Sequence, residues 1–493
     1  MTEHLPALQV VIPLLIAPVI FLLNHARIAW LAGVAVSWIS LAISILLLMQ
    51  VVNGEPVQYE FGGWEPPWGI AYHVDRLNAF VLLIVSGIAA VIFPFSRQSI
   101  RREIPESLHV LFYTALLLCF AGLLGMTITG DAFNLFVLLE ISSLSTYTLI
   151  SLGKDRRSLT AAFQYLVMGT IGGTFILIGV GLLYMLTGTL NMLDLAEKVA
   201  VLEGSSRTLQ AAFAFLVVGI GLKLAMFPLH LWLPGAYATA PSVVSAFLAA
   251  TATKVAVYAL LRFLFTVFGA DFTYAEMHVD LLFVPLAVIS ILFASLVAVF
   301  QRGIKRMLAY SSVAQIGYML LGIGLANVDG LTATLLHLFN HALMKGALFL
   351  AVAMIFFRTG GSSLRHALGL GKQMPWTMAA FVIGGLSLIG VPLTVGFISK
   401  WYLILASIER GWWPITAVIL VASLIAVVYV WRVVEAAYFR ERPADLPAVK
   451  EAPLGLLIPT WILVLANLWF GINATMTAGI AQSAAKVLLG GGA

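Results

Sequence analysis

Eight titratable side chains interrupt otherwise apolar stretches of this sequence: Glu140, Lys223, His230, Lys254, His337, His341, Lys345 and Lys400. An ionised group at mid-bilayer costs about 2.5–3.5 kcal/mol even on a lenient insertion scale, so such residues face protein or water and mark ion paths. The chemistry open to them is proton storage and transfer. A lysine taken out of water holds its proton less tightly, and a carboxylate beside it restores the affinity. A glutamate whose distance from a lysine changes during turnover is therefore a switch: together the two hold a proton, apart they release it. Glu140 and Lys223 are the natural pair, Lys254, His341 and Lys345 are intermediate carriers, and Lys400 is the far terminus.

The local sequence says how each is presented. Glu140 stands nine residues into a run that opens Asp131-Ala-Phe-Asn, about 13 Å along a helix rising about 1.5 Å per residue and so close to the midplane. Asp131, after Gly130, reads as the N-cap of that helix. Lys223 lies in Gly221-Leu-Lys-Leu-Ala-Met-Phe-Pro228. Proline cannot donate to the Leu224 carbonyl, which predicts a broken helix beside the lysine, tolerated at membrane depth only where protein or water surrounds it. His230, two residues further, is either a satisfied polar group of the break or a proton relay. Lys254 has Thr251 and Thr253 close by to support hydration, whereas Arg262 reads as an interfacial anchor.

His337-Leu-Phe-Asn-His-Ala-Leu-Met-Lys345 carries ionisable groups at i, i+4 and i+8, which a helix places within about 40° of one another as a stripe about 12 Å long. That suits a hydrated proton wire. A metal site is not expected there, since no glutamate follows the first histidine and no cysteine is near. Lys400 closes Gly390-Val-Pro-Leu-Thr-Val-Gly-Phe-Ile-Ser-Lys400, where Pro392 and Gly396 again interrupt a span. Lysines beside two broken helices in corresponding positions are a sequence mark of inverted-repeat transporters.

The elements that position these residues are membrane helices. Of 493 residues 61% are hydrophobic and 10% charged, against about a quarter charged in soluble domains, and mean hydropathy is +1.02. Apolar runs of helical spanning length predict fourteen spans near 7–24, 29–52, 75–95, 107–128, 132–153, 159–187, 209–228, 242–268, 279–300, 307–326, 331–357, 375–400, 412–439 and 453–476. Alternating strands of the barrel kind are absent from the pattern. One transmembrane domain over 1–493 is the economical reading. The N-terminus lacks a basic region ahead of its apolar run and reads as an uncleaved first helix. The apolar, aromatic joint 227–242 is expected to lie along or within the membrane edge.

Charge orients the array. Sixteen Lys and Arg fall in one set of joints and five in the other, which predicts both termini outside and the large joints 96–106, 154–158, 301–306, 358–374 and 440–452 in the cytoplasm. The net charge of +5 reflects these joints and not a nucleic-acid partner, because no basic run exceeds three residues. The lone Cys119 can build neither a disulfide nor a four-cysteine cluster. No cofactor or redox centre is expected of this chain.

The segments KLAMFPLHLWLPGAYATAPSVVSA from Lys223, ATKVAVYALLR, HLFNHALMKGALFL and GVPLTVGFISKW resemble the antiporter-like subunits shared by respiratory complex I, membrane-bound hydrogenases and Mrp-type sodium/proton antiporters. The resemblance covers nearly the whole chain. It implies an all-α fold of fourteen helices, with two inverted five-helix repeats at about 107–268 and 279–439, discontinuous helices seven and twelve, and a charged central axis. It also makes Glu140, Lys223, Lys254 and Lys400 the family's proton-translocating residues of spans five, seven, eight and twelve.

Gly62 through Ile70, Gly235 and a lysine in span twelve lean toward the D-type chains of Mrp antiporters. Complex I and hydrogenase parents stay open, as do the coupled cation, Na+, K+ or proton alone, and the direction of transport. The long lateral helix of the largest paralogue is not expected. Implied partners are other membrane subunits of a hetero-oligomeric complex in a prokaryotic inner membrane, which would own any hydride or quinone chemistry. The contrasting reading is a membrane scaffold that moves no ion, and the desolvation cost of the midplane charges speaks against it.

Overall fold

The computed structural model describes residues 2–202 and 206–490. Its first spans are α1 (Leu5–Leu23), α2 (Ala26–Asn53), α3 (Arg76–Glu103), α4 (His109–Ile128), α5 (Ala132–Ser151) and α6 (Arg157–Thr187). A short α7 (Met192–Val201) then leads to α8 (Arg207–Leu224) and α9 (Trp232–Thr239), the two pieces of span seven. Span eight is α10 (Ser242–Ala250) and α11 (Ala252–Leu261), running on as π-turns to Val267. Next come α12 (Val279–Phe300), α13 (Ile304–Gly324) and α14 (Val328–Thr359). Two single turns, α15 (Leu364–Ala367) and α16 (Leu370–Gln373), precede α17 (Pro375–Ile389) and α18 (Val395–Glu409), the pieces of span twelve. Last are α19 (Trp413–Tyr438), α20 (Leu454–Ile472) and α21 (Thr475–Leu488).

Among the described residues thirteen helical stretches are long and apolar enough to cross a membrane, and the α17–α18 pair makes the fourteenth span. The hydrophobic surface is sorted as lipid demands. Outer helices expose large apolar side chains such as Trp38, Phe163, Leu282 and Leu424. α14 sits at the centre, packed against α3, α10, α13, α17, α18, α20 and α21, so its polar stripe is shut away from lipid.

The breaks fall where prolines and glycines put them. α8 stops at Leu224, Ala225 turns left-handed at φ +61°, and Pro228 follows without an N–H to give. Trp232 donates to the freed Leu222 carbonyl at 2.9 Å. α17 stops at Ile389, Gly390 takes φ +92°, and Asn340 of α14 donates to the Val395 carbonyl where α18 restarts, at 2.7 Å. Span eight is also interrupted, at Thr251 with φ −125°, a break without proline or glycine to announce it.

The structure corrects two expectations and adds two elements that the sequence reading did not place. The joint after Pro228 does not skirt the membrane edge: α9 resumes the span, stacks Trp232 on Tyr165 at 3.9 Å, and brings the Thr239 carbonyl against Gly153 in the α5–α6 joint. Its aromatic residues find partners in the protein instead of the interface. Arg262 is no interfacial anchor but a buried residue paired with Asp75 at 2.6 Å. The residues between spans two and three pair as an antiparallel hairpin, β1 (Val57–Glu60) with β2 (Ala71–Val74), and the C-terminal stretch forms α21, tied down by Arg76 to Ser483 at 2.6 Å.

The two halves repeat a construction on opposite faces. The start of α5 and the turn after α6 meet through an Asp131–Asn191 bridge near the hairpin, while the start of α13 and the turn after α14 meet through Gly303–Ser363 at the basic joints. Ala132 N–H donates to the Leu190 carbonyl and Ile304 N–H to Ser362, each at 2.8 Å. Both long helices end on a left-handed glycine, Gly188 or Gly360, after a threonine, Thr187 or Thr359, whose hydroxyl accepts from the N–H two residues on at 3.4 Å. Both bridges are offset by the same interval, 303 − 131 = 363 − 191 = 172 residues.

Candidate proton path

Glu140 leaves the middle of α5 toward α6 and α8. Gly173 of α6 makes room for it, since a Cβ there would lie 2.3 Å from the Glu140 Oε1. Lys223, in the last turn of α8, donates to Glu140 Oε1 at 3.3 Å and to Ser143 Oγ at 2.8 Å. The lysine side chain is 5% exposed and the glutamate 26%, so the pair sits at a wall of the protein with one member open to a neighbouring phase. At an effective dielectric of about 20 the attraction at this distance is about 5 kcal/mol before desolvation is subtracted.

A second group lies around α14, with every member buried. Lys254 donates to the Ala249 carbonyl at the end of α10 and to Thr253 Oγ1 at 3.3 Å. The end of α10 that it caps lies against α14 one residue past Lys345, where a Cβ on Gly346 would stand 3.9 Å from the Ala250 side chain. Lys345 donates to the Leu308 carbonyl of α13 at 2.7 Å and to Ser311 Oγ. The rings of His341 and His337 stack at 5.7 Å, and His337 Nδ1 meets Ser399 Oγ at 2.8 Å. The next residue, Lys400, donates to the Leu388 and Ile389 carbonyls at 3.2 and 2.7 Å and to Ser423 at 2.9 Å, with the Tyr318 ring 5.2 Å away. Both His341 nitrogens and His337 Nε2 lack hydrogen-bond partners among the described protein atoms, as befits sites that water or a moving proton would serve.

Lys254 and Lys400 thus share one placement: each ammonium donates to carbonyl oxygen at the C-terminal end of a broken helix, where the negative end of the dipole stabilises a cation. Neither of these two is ion-paired with a carboxylate among the described residues, whereas Lys223 is. His230 stands apart. Its ring is 3% exposed and lies against Phe227 at 5.2 Å and Phe293 at 6.4 Å, with no hydrogen bond or ion pair to the others among the described residues.

The site includes residues the sequence reading passed over. Ser143, Ser311, Ser399 and Ser423 each bond a member of the row. Ser143 and Ser399 could have been found as hydroxyls one turn or one residue from a buried charge. Ser311 and Ser423 lie on other spans and carried no such signal. Asp75 and Arg262 form a separate pair, the arginine buried and the carboxylate partly so, and Arg262 Nε donates to the Tyr258 hydroxyl at 2.9 Å. Burial alone would raise the Asp75 carboxyl, but Arg262 beside it outweighs burial and holds it below the usual carboxylate range. The neighbouring His73 imidazole is pushed down by burial.

The family described as NADH:quinone oxidoreductase/Mrp antiporter, transmembrane, matches residues 129–426, which contain every member of the row. NADH-quinone oxidoreductase subunit N of Desulforudis audaxviator is 42% identical over 98% of this chain and 99% of its own. The D-type chain of the Na(+)/H(+) antiporter of Bacillus subtilis is 29% identical over 98% of this chain and 96% of its own. A chain in the structure of the Mrp complex from Dietzia sp. DQ12-45-1b superposes with a TM-score of 0.90 at 26% identity, covering 99% of this chain and 97% of that one. Motifs, helix breaks and full-length similarity agree: the chain belongs to the NADH:quinone oxidoreductase/Mrp antiporter transmembrane family.

Proposed function

We propose that this chain is a proton-translocating, antiporter-like subunit of a multisubunit membrane complex, and that Glu140, Lys223, Lys254, His337, His341, Lys345 and Lys400 carry the proton. The observation that supports this best is the Lys223–Glu140 ion pair at 3.3 Å beside a broken helix, in a fold that also buries a lysine–histidine row reaching a second broken helix. With the pair closed, Lys223 keeps its proton. When Glu140 moves away, the ammonium is left at a helix end without its counter-ion and gives the proton to the Lys254 side. From there it passes by Lys345, His341 and His337 to Ser399 and Lys400. His230 serves as a relay only if water bridges it to this row.

The partners in this reading are sister membrane subunits, as the relatives in Mrp-type and quinone-reducing complexes suggest, and any redox chemistry belongs to them. The membrane is a prokaryotic inner membrane, with the basic joints in the cytoplasm and both termini outside, by the excess of Lys and Arg in those joints. The five-helix repeats are 107–268 and 279–439, supported by the matching bridges in each half. The test is proton movement by the assembled complex in proteoliposomes. Glu140→Ala and Lys223→Ala should each stop transport while the complex still assembles, and wild-type rates in either variant refute the proposal.

A further inference from the structure

The basic face holds a cavity unconnected with the proton row. It measures about 1010 Å³ and opens between the α5–α6, α12–α13 and α14–α15 joints. Lys154, Arg157, Arg302, Lys305 and Arg306 line it. Two carboxylates also line it, Asp155 and Glu103, which leaves a surplus of three positive charges. Both carboxylates are engaged: Asp155 pairs with Arg157 at 2.8 Å, and Glu103 accepts from Ser99 Oγ at 3.1 Å and from the N–H and hydroxyl of Ser242 at 2.9 and 3.0 Å.

Lys305 is 4% exposed and donates to the Ala240 carbonyl at 3.1 Å, so its other N–H donors remain for an occupant. α13 begins at the same place, and its N-cap, Gly303, supplies no side-chain acceptor to the first turn. The positive end of a 21-residue helix and a clustered set of cations therefore face one space, an arrangement that selects an anion.

A second cavity tells what kind of anion. Directly beside the first, sharing Gln164, runs a groove of about 330 Å³ lined by Phe163, Val167, Met168, Leu231 and Trp232. It descends along α6 and the break of span seven, at membrane depth. Phe163 is 64% and Leu231 73% exposed, so the groove is open to lipid. A free phosphate has no use for it. A molecule with a phosphate head and an acyl tail fills both spaces at once.

We infer that this face binds one anionic phospholipid, its head group in the basic cavity and an acyl chain along the Phe163–Leu231 groove, next to the helix break that carries Lys223. Juxtamembrane cations attract acidic head groups additively. The assembled complex is freed of lipid and mixed with equal amounts of phosphatidylglycerol and phosphatidylcholine, and lipid retained on this subunit is counted by native mass spectrometry. Phosphatidylglycerol should be kept in preference. Combined Lys154→Gln, Arg302→Gln and Arg306→Gln should weaken its retention on the order of 100-fold.

Gln164→Trp, which blocks the junction of the two cavities without changing charge, should weaken retention as well. Excess inorganic phosphate should fail to displace the lipid. Full displacement by phosphate makes this a phosphate site and overturns the lipid assignment, as does equal retention of phosphatidylcholine or undiminished retention in the triple variant. Should the triple variant not assemble, the wild-type complex at rising salt decides: retention that is indifferent to salt overturns the proposal.

Discussion

Replacing Gly173 with alanine perturbs the ion pair without touching either of its members. The added Cβ would stand 2.3 Å from Glu140 Oε1 and 3.2 Å from its carboxyl carbon, where 3.4–4 Å is ordinary contact, so the carboxylate must retreat by about 1 Å. Taken along the ion pair, that lengthens the 3.3 Å contact to about 4.3 Å and lowers the attraction from about 5 to about 4 kcal/mol at an effective dielectric of about 20. The balance between closed and open pair then moves about fivefold toward open. Helix stability does not suffer, because alanine is favoured over glycine inside a helix by up to about 1 kcal/mol. Gly181→Ala is the control on the same helix, since nothing lies within 4 Å of its added methyl. Proton uptake by proteoliposomes holding the assembled complex should slow severalfold for Gly173→Ala and stay unchanged for Gly181→Ala. A Gly173→Ala complex that transports at the wild-type rate shows that the Glu140–Lys223 distance does not govern turnover.

Glu140→Asp keeps the charge but shortens its reach by one methylene, so transport in the same assay should be reduced but not lost, and activity as low as that of Glu140→Ala counts against an ion-pair role. At the far end, Lys400→His should retain pH-dependent transport with its optimum displaced toward acid, because free imidazole titrates near 6.5. Lys400→Met should be inactive at every pH while still inserting. If the methionine variant works normally, the lysine only neutralises the carbonyls of Leu388 and Ile389. Asp75→Asn preserves the N-cap but leaves Arg262 buried without its counter-ion, which should cost about 3 kcal/mol and lower the melting temperature in detergent. The pH sign follows from Asp75 being held below its ordinary value in the fold: the stability it contributes is complete above about pH 4 and disappears as pH falls through the folded-state value. An acid-unfolding curve that is the same in Asp75→Asn and wild type refutes this.

Much of the architecture was legible because it is local. A run of apolar residues long enough to satisfy its own backbone in lipid must be a helix wherever it packs, which is why most spans fell within a few residues of their sequence boundaries, while spans three, seven and twelve run on to Glu103, Thr239 and Glu409. The breaks at Pro228 and Gly390 follow from one missing N–H and one left-handed turn, properties of single residues. The break at Thr251 and the helix α21 were missed for the opposite reason, since neither carries such a residue and both are held by neighbours.

The sequence by itself determined which charges enter the membrane and at what depth, because hydropathy and helical rise are properties of one segment. It also determined that His337, His341 and Lys345 share a stripe, because helical periodicity aligns them. Only the tertiary structure decided that Glu140 meets Lys223 across 83 residues, that Arg262 reaches Asp75 across 187, and that Lys254 and Lys400 converge on the α14 stripe while His230 turns away toward Phe293. A charge buried in a helix says only that something must stabilise it. Which element does so depends on how the helices pack, and packing is settled by all their apolar faces together, such as the Gly172–Gly219 contact that lets α6 and α8 approach, and not by the buried charges themselves.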